Sequence, residues 1–121
     1  MYSPTLWEHI RNPQNRGHLP AANAVGESRY RICGDHLILQ LHIQDGAIAE
    51  ARFLAKACAP VVATASLVTG RLVGLPLAQA RQLDLLKLDQ ELGGLPPSKR
   101  HALWMFLECL SNALDAFKIP E

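Results

Sequence analysis

Four residues of metal-holding types stand where the chain changes direction: Cys33 and Asp35 in "ICGDH", Cys58 in "AKACAP" and His101 in "SKRHAL". Zinc takes thiolate, carboxylate and neutral imidazole in tetrahedral sites, and thiolates are the usual ligands of iron–sulfur clusters. Cys58 precedes a run of small apolar residues and His101 opens a longer apolar run, so each falls near the expected start of a helix. A helix N-terminus favours negative charge, which lowers a thiol pKa and disfavours imidazolium, and these are the forms that bind metal. Each residue also has a plainer use. Cys33 could be a half-buried small hydrophobe, Asp35 a turn residue bonded to its own backbone, Cys58 helix packing and His101 a solvated first-turn side chain. Only their convergence would give them a joint function.

Convergence depends on the elements that carry them. Residues 3–10 predict a short helix capped by Ser3 with Pro4 in its first turn, and "RNPQNRGHLP" breaks the chain after it. Leu37, Leu39, Leu41 and Ile43 alternate with Ile38, Gln40 and His42, the pattern of a strand. After "QDG", Ala49, Ala51, Phe53 and Ala55 alternate with Glu50, Arg52, Leu54 and Lys56, which predicts a hairpin. A tight turn at Asp45-Gly46 would pair Leu41 with Glu50 and Leu39 with Arg52, placing charges beside the apolar face. A turn one residue longer, with Gly46 in a bulge, pairs Leu41 with Ala49, Leu39 with Ala51 and Leu37 with Phe53. Carried on, that register sets Asp35 opposite Ala55 and Cys33 opposite Ala57, next to Cys58.

Val61, Ala65, Val68 and Leu72 predict a helix just after Cys58. Residues 76–92 predict one or two short helices ending at Gly93-Gly94. A last helix is expected from Pro97 or Ser98, with Leu103, Leu107, Leu110, Leu114 and Phe117 as its apolar stripe.

With 121 residues, 49% of them hydrophobic, the chain suits one domain over residues 1–121. Twelve basic against eleven acidic residues give no concentrated charge, so neither nucleic acid nor a membrane surface is an expected partner. No apolar run approaches the roughly 20 residues that span a bilayer, and "MYSPTLWEHIRNPQNRG" lacks a signal-peptide core, so a cytoplasmic location is expected. Three widely spaced cysteines do not form a disulfide framework and are better read as free thiols, ligands or nucleophiles.

"CGD", "FLAKAC" opening a small-residue helix, and "LPPSK" followed by a histidine together resemble the IscU, SufU and NifU N-terminal family of iron–sulfur scaffold proteins. "HIRNPQNRGHL" and the "AVG" at residues 24–26 fit the same family, so the resemblance covers nearly the whole chain. It implies an α+β fold: a small three-stranded antiparallel sheet, with a strand near residues 26–32, helices packed on it and a long C-terminal helix. It also implies a scaffold or carrier rather than an enzyme, binding iron, a [2Fe-2S] cluster or zinc and supplied with sulfur by a cysteine desulfurase.

Residue by residue, the resemblance assigns metal or cluster binding to Cys33, Asp35, Cys58 and His101. The third cysteine of the family pattern falls on Ala102, a position whose thiol would ligate metal and accept persulfide. Cys109, seven residues further along the helix, lies about 10.5 Å away along the axis, too far to ligate the same metal, and is read as a core or core-flanking residue, with a redox role through rearrangement as the alternative. The segment "GESRYRI" also departs from the longer Gly- and Pro-containing loop of the family. In the family, the loop matching Leu95, Pro96, Pro97 and Lys99 is recognised by an Hsp70-type chaperone. Trp104 shares a polar stripe with Glu108, Ser111 and Asp115; it is expected either under the preceding loop or exposed as a partner anchor.

Three readings follow: a labile cluster scaffold serving iron–sulfur client proteins, a degenerate paralogue acting as an adaptor or regulator without cluster chemistry, and a zinc-dependent sulfur acceptor. The missing thiol weighs most against the third.

Overall fold

The computed structural model describes residues 2–117. Helix α1, Pro4–Arg11, starts where Ser3 accepts the Leu6 N–H at its side chain, as the Ser-Pro pair predicts. Strands β1 (Ala24–Tyr30), β2 (Asp35–Gln44) and β3 (Ala47–Lys56) form one antiparallel sheet in the order β1-β2-β3. Then come α2 (Ala59–Leu72), the short α3 (Leu77–Ala80) and α4 (Leu85–Glu91), a 3₁₀ turn at Pro97–Lys99, and α5 (His101–Ala116).

The hairpin register differs from the sequence expectation. Asp45 and Gly46 both have positive φ, 54° and 75°, so they form the tight two-residue turn whose twist suits flanking strands. The extra residue is taken up further along instead. Ile43 pairs with Ile48 and His42 with Glu50, leaving Ala49 bulged out. Beyond the bulge Leu41 faces Ala51, Leu39 faces Phe53 and Leu37 faces Ala55, each two residues away from the predicted partner. A shift of two preserves the side-chain faces, so Leu37, Leu39, Leu41, Ala51 and Phe53 still form one buried surface. Ile48 joins the core and Ala49 turns to solvent.

Helices α2 and α5 cover this surface, α2 against β3 and α5 against β1 and β2. Every α2 residue from Pro60 to Thr69 is buried because α1 packs on its other side. The Ser66 hydroxyl ties the two helices, meeting His9 Nδ1 at 2.7 Å and accepting the Gln14 N–H at 2.7 Å. At β1 the approach of α5 is so close that a side chain on Gly26 would run into the Cys109 carbonyl and the Ala113 amide.

The last helix begins later than expected, because the 3₁₀ turn takes Pro97–Lys99 and leaves His101 as the first α5 residue. Its buried face is also wider than the leucine stripe. Ala102, Met105, Phe106, Cys109 and Ala113 form its centre, Leu107 lies at the margin, and Phe117 is the C-cap rather than part of the helix. Among the described residues no helix is long and apolar enough to cross a membrane.

Candidate metal centre

Asp35, the first residue of β2, forms the hub. The tight turn Arg31–Gly34 precedes it, closed by the Tyr30–Asp35 pair and by Gly34 at φ 71°. That turn presents Cys33 as an exposed thiol outside the strand ladder, so the expected alignment of Cys33 with Ala57 does not occur. The residues converge through Asp35 instead. One ligand atom each from Cys33, Asp35 and His101 lies within 4.8 Å of the others. Cys58 joins from the side: its N–H donates to Asp35 Oδ1 at 2.8 Å and its thiol to Oδ2 at 3.5 Å. Asp35 thus caps α2, whose own N-cap residue, Cys58, supplies no side-chain cap.

His101 is not solvated. It is 6% exposed, and its Nε2 lies 3.0 Å from Asp35 Oδ2. Burial acts to raise the Asp35 pKa, but hydrogen bonds from His101, the Cys58 N–H and the Cys58 thiol, with the imidazole charge, outweigh it and hold the carboxyl below its ordinary value. An ionised Asp35 can only accept, so Nε2 of His101 carries the proton in this arrangement.

The Cys58 thiol departs from its expected helix-terminus behaviour. Burial pushes its pKa up, and although the Val61 N–H pulls it down, the adjacent Asp35 carboxylate adds to the rise. Burial and the Asp35 carboxylate together outweigh the pull of the helix-end N–H and of Lys99. At neutral pH Cys58 is a thiol that must give up its proton to become a ligand.

Cys109 stands apart. It is fully buried, donates to the Leu37 carbonyl at 3.4 Å, and burial raises its pKa to about 12. Of the two positions expected for it, core or core-flanking, it takes the core.

Of the five residues singled out for partners, Leu95 is in the core, its N–H donating to Asp89 Oδ1 at 2.8 Å. Pro97 is exposed, Pro96 and Lys99 are half-buried, and Trp104 is 44% exposed. Trp104 packs edge-on against Tyr30 at 5.5 Å, a different neighbour from the preceding loop. Tyr30 has no counterpart among the expected site residues. Its ring stacks on His101 at 4.1 Å and 15°. The signal for it was its place in "YRICGD", a tight turn's length before Asp35.

The donor set fits a cation: a carboxylate, an imidazole and an accessible thiol in mutual reach, with a second thiol on the same carboxylate.

The profile of the family described as "NifU-like N terminal domain" matches residues 1–120. The chain is 33% identical to the iron-sulfur cluster assembly scaffold protein IscU of Aquifex aeolicus, over 99% of this chain and 78% of that one. To IscU 1 of Archaeoglobus fulgidus it is 30% identical, over 98% and 78%. The nitrogen fixation protein NifU of Cereibacter sphaeroides is 40% identical over 88% of this chain and 44% of its own length. Among solved structures, a putative iron-sulfur cluster assembly scaffold protein for the SUF system from Fervidobacterium islandicum AW-1 superposes with a TM-score of 0.73 at 17% identity, covering 93% of this chain and 96% of that one.

Proposed function

This chain belongs to the NifU-like N-terminal domain family, and on that premise we propose that it is an iron–sulfur cluster assembly scaffold or carrier. Relatives at 30% and 33% identity over nearly the whole chain carry that description, and the fold neighbour carries it for the SUF system. The observation that bears most on it is the group Cys33, Asp35 and His101, with ligand atoms within 4.8 Å of one another beside Cys58.

Iron and sulfide are then cargo. Cys33, exposed on its turn, is the first thiol an incoming ion meets. Asp35 exchanges its hydrogen bonds from His101 and Cys58 for the ion, and Cys58 and His101 Nε2 release protons as they become donors. A cluster usually takes four thiolates; two thiolates, a carboxylate and an imidazole hold it less securely, which suits transfer to a client. The cargo is iron or a [2Fe-2S] cluster, with zinc as the mononuclear alternative. A cysteine desulfurase supplies sulfur, an Hsp70-type chaperone meets the exposed part of the Leu95–Lys99 loop, and the cytoplasm is the compartment.

Protein purified without oxygen should carry iron and sulfide, or form a visible cluster with iron, cysteine and a desulfurase. Cys33→Ala and Cys58→Ala should abolish the spectrum; no spectrum from the unaltered chain counts against the scaffold.

Ala102 favours a second reading. Its methyl is fully buried at the position that the family pattern gives to a thiol. An adaptor without cluster chemistry would bind a desulfurase or client equally well after Cys33→Ser and Cys58→Ser, and loss of that binding would sink it.

A further inference from the structure

We propose that Tyr30 is a positioning residue for His101, holding the imidazole in the one orientation from which it serves the metal centre; this rests on the metal-holding reading above. Two constraints act on that ring. The 3.0 Å contact to Asp35 fixes the direction of Nε2 within the ring plane, and the Tyr30 stack, at 4.1 Å and 15°, fixes the plane itself. Either alone leaves the ring a rotation. The two constraints have a common origin, since Tyr30 and Asp35 are direct partners in the β1–β2 ladder. The strand pair therefore grips one histidine from its face and from its edge.

Trp104, three residues beyond His101 on α5, backs the clamp edge-on, 5.5 Å from Tyr30 and 6.4 Å from His101. The arrangement matters more here than in a site with a full set of thiols. With Ala102 supplying no sulfur, the imidazole is one of few donors on offer. Groups that orient a ligand from behind are commonly worth 10- to 100-fold in metal affinity.

The test compares Tyr30→Phe, which keeps the planar face, with Tyr30→Met, which keeps apolar bulk and loses the face, in the full chain. Cobalt(II) alone is the probe under anaerobic titration, and the His101 ring resonances are recorded in metal-free protein. Tyr30→Phe should match the unaltered chain in both. Tyr30→Met should shift the His101 ring protons away from their ring-current positions and weaken cobalt binding about tenfold, with altered d–d bands. A folded Tyr30→Met chain with unmoved ring resonances and unchanged affinity overturns the proposal. If Tyr30→Met does not fold, Trp104→Leu, at an exposed position, should still move the His101 ring protons, and unmoved ones overturn the proposal. Failure of the unaltered chain to bind cobalt overturns the metal-holding reading. The metal-free resonances then still decide whether Tyr30 holds the ring.

Discussion

His101 and Asp35, 66 residues apart in sequence, meet at 3.0 Å with both side chains almost sealed from solvent. Asp35→Ala removes the acceptor for His101 Nε2 and for the Cys58 N–H together. Stability should fall by about 2 kcal/mol, within the usual cost of stranding buried donors, measured by urea unfolding. Asp35→Asn, which keeps one carbonyl acceptor, should lose less.

Acid should act through the same carboxyl. Its folded pKa lies below the ordinary 3.8, so its contribution is present above that value and is lost as pH falls through the folded pKa. The stability gap between the unaltered chain and Asp35→Asn should be constant at about pH 6 and narrow below about pH 4. A gap that widens in acid would contradict this account.

Cys109 sets a limit at the other end. Its pKa is about 12 when folded, against 9.0 for an ordinary thiol, so folding favours the neutral form. That preference costs nothing below pH 9 and destabilises progressively from there to about pH 12, by roughly 4 kcal/mol at most. Replacing Cys109 by Ala should flatten this alkaline limb of the stability profile, at the cost of a small cavity at all pH values.

Gly26→Ala should be among the most damaging single changes outside the site. The added methyl meets backbone of α5, which can yield only by moving the whole helix off β1. A loss of about 3 kcal/mol or more, or failure to fold, is expected in thermal melts.

Ala102→Cys returns a thiol to the second residue of α5, beside His101. Under anaerobic reconstitution it should raise iron and sulfide retained per chain and slow cluster loss to a chelator. Equal retention by both proteins would show that the vacant thiol position does not limit the site.

Much of this was legible in the sequence, for identifiable reasons. Alternation from Leu37 to Ile43 settles which side chains face the apolar core, since faces depend only on odd or even position, but not that Gln40 on the other face is buried too, bonded to Gly17 and Leu19. The pairing itself depends on where an extra residue is stored, and nothing in "QDGAIAEA" announces that Ala49 bulges while Asp45-Gly46 turns tightly. The site residues were readable as donors because their types are few. Their electrostatics were not, because the rise in the Cys58 pKa comes from burial and from Asp35, 23 residues away, which outweigh its own helix. Tyr30 escaped because its role comes from the strand partner it faces; "YRICGD" spaces it a tight turn from Asp35, but only the β1–β2 register makes the two a pair.

The donors arrive from three separated parts of the chain: the turn into β2 with its first residue, the start of α2 and the start of α5. No local segment can assemble them, so the site exists only after the last helix has docked on the sheet. An ion that prefers the assembled site to the separate thiols and imidazole of the unfolded chain draws the folding equilibrium toward the folded state. At a free concentration about a hundred times its dissociation constant, it would add roughly 2.7 kcal/mol. Loading and release of cargo would then double as a tightening and loosening of the whole molecule, and a client that removes the cargo would leave behind a scaffold easier to unfold.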